Sequence, residues 1–261
     1  MTNNGHDPLT GALGRLAVAP PKDFLTRVVA GWVTVPGVVG ELYVAFTDRG
    51  ISYVRTAESV GAGPGADERF CEDYRRRFGR PVRRAERPPA GLIPALRGKR
   101  TAALRFDLRG LSDFERDVLE ATLRIPTGQT RPYAWVAREI GRPRAVRAVG
   151  SALGRNPVPL LIPCHRVTRS DGRPGDYVFG ARTKEALLRA EDVDLDQVRE
   201  LAAAGVFYLA SETTGVVCFP TCQHAKRIAP AHRRGFRSIA QAVDAGYRPC
   251  EHCRPALAET A

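Results

Sequence analysis

The sequence is poor in lysine, in acidic residues and in long apolar runs. Only four of the 40 basic residues are lysines, and the 28 acidic residues leave a formal net charge of +12. Arginine binds phosphate through two parallel hydrogen bonds where lysine acts as a point charge. The charge therefore favours an acidic polymer as partner, nucleic acid before membrane. A solvated basic surface is the alternative that charge alone leaves open.

Neither a secretory signal nor a membrane span is evident. The first 22 residues lack a basic start followed by an apolar run, and the apolar stretch 28–46 is interrupted by Pro36, Gly37, Gly40 and Glu41. We therefore expect no membrane partner and a cytoplasmic location. In that reducing compartment the six cysteines are expected to serve metal binding or catalysis rather than disulfides.

The length of 261 residues and a hydrophobic content of 43% allow one large domain or two to three small ones. The pattern of elements predicts an α/β (α+β) protein. We expect a flexible tail at 1–22, a small α/β domain at 23–108, a second domain at 109–192, a helical linker at 193–205 and a small third domain at 206–257.

The first domain shows strand alternation and then a helix. Residues 42–46 and 51–55 alternate around a turn and predict a hairpin. Residues 67–79 place aromatic side chains at helical spacing, with Gly79 as a stop. A further strand is predicted at 104–108.

The second domain begins with an amphipathic helix at 112–125, for which Ser112 is a plausible N-cap. Segments 133–141 and 143–156 then predict a helix-turn-helix pair. On the second of these helices one stripe is expected to pack inward: Val146, Val149, Gly150 and Leu153. The other stripe faces outward and suits a duplex backbone, although a solvated face is the alternative: Arg144, Arg147, Ser151 and Arg155.

The stretch LLIPCHRV (160–167) holds the candidate nucleophile. The aliphatic run from Leu160 to Ile162 predicts a buried strand that Pro163 ends. Cys164 and His165 follow. A thiol reacts as thiolate, and the adjacent His165 is the first candidate base. A buried, inert cysteine is the alternative that this pair alone leaves open.

The third domain is too small to fold on core burial alone, because domains below roughly 70–80 residues usually need a staple. It contains Cys218-x3-Cys222 and Cys250-x2-Cys253. Two cysteine pairs at this spacing predict a tetrahedral zinc site, with unpaired thiols as the alternative. His224 and His252 are rival ligands, but the four cysteines already complete a tetrahedron.

Residues from about 110 to 191 closely resemble the O6-alkylguanine-DNA alkyltransferases (methylated-DNA–protein-cysteine methyltransferases). The matching segments are IPTGQTRPYAWVAREIG, RAVGSALGRNPVPLLIPCHRV, SDGRPGDY and KEALLRAE. The resemblance implies suicidal DNA repair, in which an alkyl group passes irreversibly from O6-alkylguanine, and in some cases O4-alkylthymine, to a cysteine. It also implies an RNase H-like first domain and a winged-helix-like second domain, a monomer, and no organic cofactor.

The resemblance assigns roles to individual residues. Double-stranded DNA is bound through its minor groove, and the damaged guanine is flipped out. Cys164 is the alkyl acceptor, and His165, held by Glu191, draws off its proton through a water. Further roles are implied at four positions: Tyr133 donates a hydrogen bond or proton to the purine, Asn156 locks the turn before the active site, Arg147 fills the vacated space in the duplex, and Tyr177 lines the pocket.

One departure from the family pattern follows Tyr177. Small residues are usual there, whereas this chain has Val178 and Phe179. The larger Phe179 is expected to narrow the pocket. We therefore predict that methyl adducts are accepted well and benzyl adducts poorly.

The third domain resembles the zinc-binding methyl-acceptor domain of the adaptive-response protein Ada in FYLASETTGVVCFPTC and AVDAGYRPCEHCRP. The resemblance implies one Zn²⁺ on Cys218, Cys222, Cys250 and Cys253, with Cys218 a candidate second acceptor, for methyl from DNA phosphotriesters. A purely structural role of Cys218 is the alternative. Segment 223–238 departs from the family pattern but keeps five basic residues.

Two rival functions stay open. A module that binds alkylated DNA without repairing it needs no nucleophile, so Cys164 argues against it. A cysteine hydrolase needs an oxyanion hole and a deacylating water, for which no motif is present.

Overall fold

The structure is a computed structural model that describes residues 28–99 and 103–255. The tail predicted at 1–22 lies outside the described residues. Within the described residues, no helix is both long and apolar enough to cross a membrane.

The described chain starts with a four-stranded sheet. Its strands are β1 (Ala30–Gly37), β2 (Gly40–Thr47), β3 (Gly50–Thr56) and β4 (Val82–Arg84), in the order β3-β2-β1-β4. Strand β2 is antiparallel to both β1 and β3, and β4 is parallel to β1. The hairpin that the alternating pattern predicted is therefore formed by β2 and β3.

One face of this sheet is covered by helix α2 (Ala66–Phe78), which follows the short α1 (Ala57–Val60). Phe70 of α2 packs against the rings of Trp32, Tyr43 and Tyr53. As predicted, the helix ends at Gly79, whose φ of 61° is left-handed and favours glycine. The opposite face is aliphatic and joins the main hydrophobic core.

The segment after α3 (Leu92–Leu96) differs from expectation. The strand predicted at 104–108 is wrong, since only Phe106 forms a bridge, to Ile51. The carboxylate of Asp107 turns to Thr47 Oγ1 at 2.6 Å and to Arg109 Nε at 2.8 Å. These side-chain bonds hold the segment as a turn instead of extending the ladder.

The next part, the helical unit (residues 113–193), positions the candidate site. Ser112 and Glu115 form the capping box that starts α4 (Asp113–Leu123). The remaining elements follow in order: β5 (Arg131–Pro132), α5 (Tyr133–Glu139), α6 (Val146–Gly154), a 3-10 turn (Cys164–Arg166), β6 (Val167–Thr168) and α7 (Ala181–Ala190). Strands β5 and β6 pair in parallel, so the start of α5 lies beside the 3-10 turn.

The strand predicted at 160–162 is also wrong. Leu160 has a left-handed φ of 74°, and the amide of Ile162 donates to the carbonyl of Val158 at 2.9 Å. Residues 157–163 therefore form a tight loop. The first sheet supports this loop, because the amide of Val54 donates to the carbonyl of Pro157 at 2.9 Å.

Beyond α7 the chain forms α8 (Leu195–Ala203), which is the helix predicted in the linker segment, and Gly205 closes it with φ 71°. The elements of the four-cysteine unit (residues 206–255) are β7 (Tyr208–Ser211), β8 (Val216–Cys218), α9 (Gln223–Lys226), a 3-10 turn (Pro230–His232), β9 (Arg233–Phe236), α10 (Ile239–Asp244) and β10 (Arg248–Pro249). Its four strands form one sheet in the order β10-β8-β7-β9. The described chain is thus a mixed α/β protein with a four-cysteine cluster in its last unit.

Candidate active site and metal centre

Cys164 opens the 3-10 turn and is 5% exposed. The side chain of Asn156 holds the loop before Cys164 and contacts the Cys164 sulfur. Asn156 Nδ2 donates to the carbonyl of Ile162 at 3.0 Å and to Cys164 Sγ at 3.2 Å, and its Oδ1 accepts from the amide of Val158 at 2.9 Å. One buried amide therefore fixes both ends of the loop and contacts the sulfur directly.

The surroundings of Cys164 have opposing effects on the pKa of its thiol. Burial raises the pKa of its thiol, whereas the hydrogen bond from Asn156 and the positive charge of Lys184 oppose that increase. Lys184 is fully buried on α7, and its Nζ donates to the carbonyl of Val167 at 2.6 Å. Burial lowers the pKa of Lys184 to about 8, so it is charged at neutral pH.

His165, Glu191 and Arg166 form a hydrogen-bonded group behind the sulfur. His165 Nε2 lies 2.9 Å from Glu191 Oε1. Arg166 donates to both carboxylate oxygens of Glu191, each at 2.8 Å. Burial raises the pKa of Glu191, but the bonds from His165 and Arg166 outweigh it and lower the pKa to about 2. The carboxylate is therefore ionised throughout the physiological range and orients the imidazole.

The imidazole is suited to accept a proton. Burial lowers the pKa of His165, with the bond to Glu191 opposing, so the ring is neutral at neutral pH. Its Nδ1 is buried and has no hydrogen-bond partner among the described residues. With Nε2 engaged by a carboxylate, Nδ1 is the nitrogen that is left to act as base.

A cavity of about 620 Å³ opens onto Cys164. Tyr133 lies on it at the start of α5, and burial raises the pKa of its phenol, which keeps the proton available for donation. Tyr177 also lines it, with a buried hydroxyl that has no partner among the described residues. An unpaired buried hydroxyl beside a cavity favours a polar ligand there. Gly175 allows Tyr133 to approach, since a Cβ at that position would lie 3.1 Å from its hydroxyl.

Helix α6 forms the outer wall of this cavity. The structure places Arg144, Arg147 and Ser151 on the exposed surface, and Arg147 also lines the cavity. Arg155 is exposed too, but it forms an ion pair with Glu115 at 2.9 Å. The inward placement predicted for Val146 is wrong: it is exposed at the mouth of the cavity, because the helix only begins there.

The two residues after Tyr177 lie differently from each other. Val178 lines the cavity, whereas Phe179 is not among its lining residues and packs its ring edge-on against Tyr177 at 5.6 Å. The residue that limits the cavity directly is therefore Val178, and Phe179 acts by supporting Tyr177.

The cysteines at 218, 222, 250 and 253 form one buried cluster, whose sulfur atoms all lie within 4.8 Å of one another. Sulfurs around a tetrahedral zinc lie about 3.8 Å apart, as a Zn–S distance of about 2.3 Å requires. The donor set therefore fits a soft divalent ion after a small contraction. The rival ligand His224 instead lies 3.7 Å from Cys250 Sγ through Nδ1, and His252 lies 3.3 Å from the side-chain nitrogen of Gln129.

The sequence analysis did not identify three basic residues that lie beside these sites. Arg166 follows Cys164 and His165 directly and could have been read as a partner for Glu191. Lys184 is one of only four lysines and falls among apolar positions of α7. Arg131 is 1% exposed beside the cysteine cluster, and nothing local in the sequence marks it as buried.

Comparison with known families adds to this geometry. Residues 113–193 match the family described as 6-O-methylguanine DNA methyltransferase, DNA binding domain, and residues 195–256 match the metal binding domain of Ada. A methylated-DNA–protein-cysteine methyltransferase from Methanosarcina barkeri is 49% identical over 84 residues, which are 32% of this chain and 53% of the relative. The chain thus spans about half the length of that relative.

Two further relatives extend the comparison. The bifunctional transcriptional activator/DNA repair enzyme Ada of Escherichia coli is 46% identical over 88 residues, which are 34% of this chain and 25% of that protein. The crystal structure of Mycobacterium tuberculosis OGT in complex with DNA is similar with a TM-score of 0.50 and 28% identity, over 64% of this chain and 98% of that one. Together these matches show a 6-O-methylguanine DNA methyltransferase DNA-binding domain at 113–193, followed by an Ada-type metal-binding domain at 195–256.

Proposed function

We propose that this protein repairs DNA by direct reversal, transferring the methyl or alkyl group of O6-alkylguanine to Cys164 in a single turnover. One observation carries the proposal: the Cys164 sulfur opens onto a cavity of about 620 Å³, receives a hydrogen bond from Asn156, and is followed in the chain by a His165–Glu191 pair. A pure binding module has no use for that arrangement of nucleophile and base. The same chemistry would extend to O4-alkylthymine.

The step balances as a nucleophilic displacement. The thiol proton of Cys164 passes through a water to His165 Nδ1, and Glu191 stabilises the imidazolium that forms. The thiolate attacks the alkyl carbon, the carbon–oxygen bond breaks, and its electron pair stays on the purine. Tyr133 donates a hydrogen bond or proton to that purine, so guanine leaves neutral, and the proton taken up by His165 restores the phenol through solvent. The thioether at Cys164 has no hydrolytic route back to a thiol, and the protein is consumed.

Double-stranded DNA is the proposed partner, with α6 in the minor groove and the damaged base flipped into the cavity. Arg147 lies at the cavity edge and would occupy the space that the base leaves. Arg144 and Ser151 are exposed and would contact phosphate. Arg155 would reach phosphate only by exchanging its ion pair with Glu115. Tyr177 would pack against the flipped base.

The four-cysteine cluster is proposed to bind one Zn²⁺ through Cys218, Cys222, Cys250 and Cys253, and no organic cofactor is needed. A bound zinc ion would hold the four sulfurs as thiolates and staple a unit too small for a large core. Of the two roles open to Cys218, second methyl acceptor or purely structural ligand, we propose the structural one. Its side chain is 1% exposed, which favours a structural role.

The finer fold assignments belong to the same proposal. We assign the first sheet and α2 to an RNase H-like domain and the helical unit to a winged-helix-like domain. A stoichiometric reagent that acts on one base at a time needs no second copy, so a monomer is proposed. None of the six cysteines, all of which lie within the described residues, forms a disulfide, which suits the reducing cytoplasm.

The deciding experiment measures intact mass after incubation with duplex DNA that carries O6-methylguanine, followed by peptide mapping. One added methyl (about 14 Da, methyl for hydrogen) on Cys164 is the expected result. Cys164→Ser should gain no mass, whereas Cys71→Ser, which removes a half-buried thiol on α2, should react like the unaltered protein. Tight binding without any adduct on Cys164 would favour the non-repairing module, and turnover of a thioester without DNA would favour a cysteine hydrolase.

A further inference from the structure

Arg131 is a fully buried cation in β5, within the connection from α4 to α5. Its guanidinium donates to the carbonyl of Thr130 at 2.8 Å and to Gln129 Oε1 at 2.7 Å, and its buried Nε has no partner among the described residues. No aspartate or glutamate in the described part of the chain forms an ion pair with it. Arginine stays protonated in proteins, so a charge buried this deeply requires a negative counterpart.

The ring contacts of Arg131 place it beside the four-cysteine cluster. Its guanidinium carbon lies 5.8 Å from the ring of Trp135 and 5.5 Å from that of Phe219, which follows Cys218 in the chain. The indole nitrogen of Trp135 in turn donates to the carbonyl of Cys253 at 3.0 Å. Arg131 is therefore enclosed between helix α5 and the metal cluster.

Charge counting gives this placement a reason. Four thiolates around a divalent ion carry a net charge of −2, which is costly to bury without a cation nearby. Arg131 removes half of that charge. The guanidinium and the metal cluster each lower the cost of burying the other's charge. If the two units separated, neither charge would have a partner of opposite sign.

Residues next to Arg131 in the chain also form hydrogen bonds with the four-cysteine unit. The amide of Thr130 donates to Thr221 Oγ1 at 2.9 Å, and Lys226 Nζ donates to the carbonyl of Gly128 at 3.1 Å. The same segment leads through Pro132 into Tyr133, which lines the cavity. A change in the docking of the four-cysteine unit would therefore shift Tyr133 at the start of α5.

We propose that Arg131 is the buried counter-charge of the four-cysteine metal centre and that the two together lock the four-cysteine unit onto helix α5. In this arrangement the metal centre is an interdomain clamp that holds Tyr133 in place, a role separate from accepting a methyl group. The inference rests on the proposed metal binding and is independent of alkyl transfer by Cys164.

The test uses the full chain loaded with zinc. Arg131→Met keeps the length of the side chain and removes its charge, Arg131→Lys keeps the charge, and Arg138→Met is the matched control. Arg138 also reaches the four-cysteine unit, donating to the carbonyl of Arg254 at 2.6 Å, but its partner there is a backbone carbonyl outside the cysteine cluster. Zinc affinity is measured by competition with a chromogenic chelator, and docking by the rate of protease cleavage between 192 and 206.

We expect Arg131→Met to weaken zinc binding at least ten-fold and to speed cleavage between 192 and 206 by a similar factor. Arg131→Lys should fall between it and the unaltered protein, and Arg138→Met should leave zinc affinity unchanged. Unchanged affinity and cleavage in Arg131→Met would overturn the proposal.

A second measurement does not depend on the folding of a variant. Zinc is removed from the unaltered protein with a chelator, and cleavage between 192 and 206 is followed before and after zinc is restored. Faster cleavage that zinc reverses supports the clamp, whereas protection that persists without zinc refutes it. Failure to bind zinc at all would instead refute the proposed metal site, and Cys164 alkylation would be scored separately by mass.

Discussion

Glu191 Oε1 lies 2.9 Å from His165 Nε2, and both oxygens of the same carboxylate accept hydrogen bonds from Arg166. Glu191 follows α7, whereas the other two residues belong to the 3-10 turn, so this group joins the two elements that form the back of the site. Its ionisation therefore contributes to stability as well as to orientation of the base.

The first prediction concerns the pH dependence of that contribution. The pKa of Glu191 falls from an ordinary value of 4.5 to about 2 in the folded protein. Because the folded value is the lower one, the stabilisation is complete above about pH 4.5 and is lost as the pH falls towards 2. The shift corresponds to about 3 kcal/mol at neutral pH. Glu191→Gln should lower the free energy of unfolding by about that amount at pH 7, measured by denaturant titration.

The difference between Glu191→Gln and the unaltered protein should shrink as the pH is lowered below 4.5. Glu185→Gln is the control, since Glu185 forms an ion pair with half-exposed Arg199 on the surface and should cost at most about 1 kcal/mol. A pH-independent difference for Glu191→Gln would contradict the assigned role.

Asn156 provides the second prediction. Asn156→Ala removes the hydrogen bonds to Ile162, Val158 and the Cys164 sulfur and leaves buried backbone groups unpaired. We expect a loss of about 2–3 kcal/mol in the free energy of unfolding and alkyl transfer at least ten-fold slower. Ser151→Ala, an exposed change on α6, should leave stability unaltered.

Asn156→Asp separates the two effects of this side chain. The carboxylate can still accept from the amide of Val158, but it places a negative charge beside the thiolate of Cys164. Transfer should therefore be slower in Asn156→Asp than in Asn156→Ala at equal fractions folded. The reverse order would mean that the loop, and not the contact with the sulfur, limits the rate.

The third prediction concerns Lys184, whose charge opposes the effect of burial on the Cys164 thiol. Lys184→Gln should raise the pKa of that thiol and slow transfer about ten-fold at pH 7, as one pKa unit would. Lys184 itself has a pKa lowered to about 8, so its help fades as the pH rises through that value. The rates of Lys184→Gln and the unaltered protein should converge above pH 8, and Lys184→Arg should keep most of the activity.

The fourth prediction concerns the size of the alkyl group. Methyl should still be preferred over benzyl, but the limiting residue is Val178, because it lines the cavity and Phe179 does not. Val178→Ala should raise the ratio of benzyl to methyl transfer rates several-fold, whereas Phe179→Ala should change it less. Comparable rates on both substrates in the unaltered protein would contradict the predicted preference.

The fifth prediction addresses Cys218. Its side chain is 1% exposed within the docked unit, so a phosphate backbone cannot approach its sulfur. Zinc-loaded protein incubated with duplex DNA that carries only methylphosphotriesters should show no methyl on Cys218 by peptide mapping. A methyl found there would establish the second acceptor and would mean that the four-cysteine unit opens on DNA.

The amino-acid sequence was sufficient to predict several local features. Turn and cap residues located the β2–β3 hairpin, the end of α2 at Gly79 and the start of α4 at Ser112, because those choices depend on neighbours along the chain. The spacing of the four cysteines predicted one cluster, since two close pairs can complete a tetrahedron wherever they meet. The motif around Cys164 likewise predicted a nucleophile with His165 beside it.

Packing between distant parts of the chain overrides some of these local patterns. Residues 160–162 form a loop and not a strand, because the side chain of Asn156 bonds the carbonyl of Ile162 and the amide of Val158. Strand propensity does not account for such side-chain bonds. Arg131 is buried where the four-cysteine unit meets α5, and the Phe219 ring that it contacts lies about 90 positions later in the chain. Partners so distant in sequence leave no periodic or spacing signal, and they are fixed only when the units pack together.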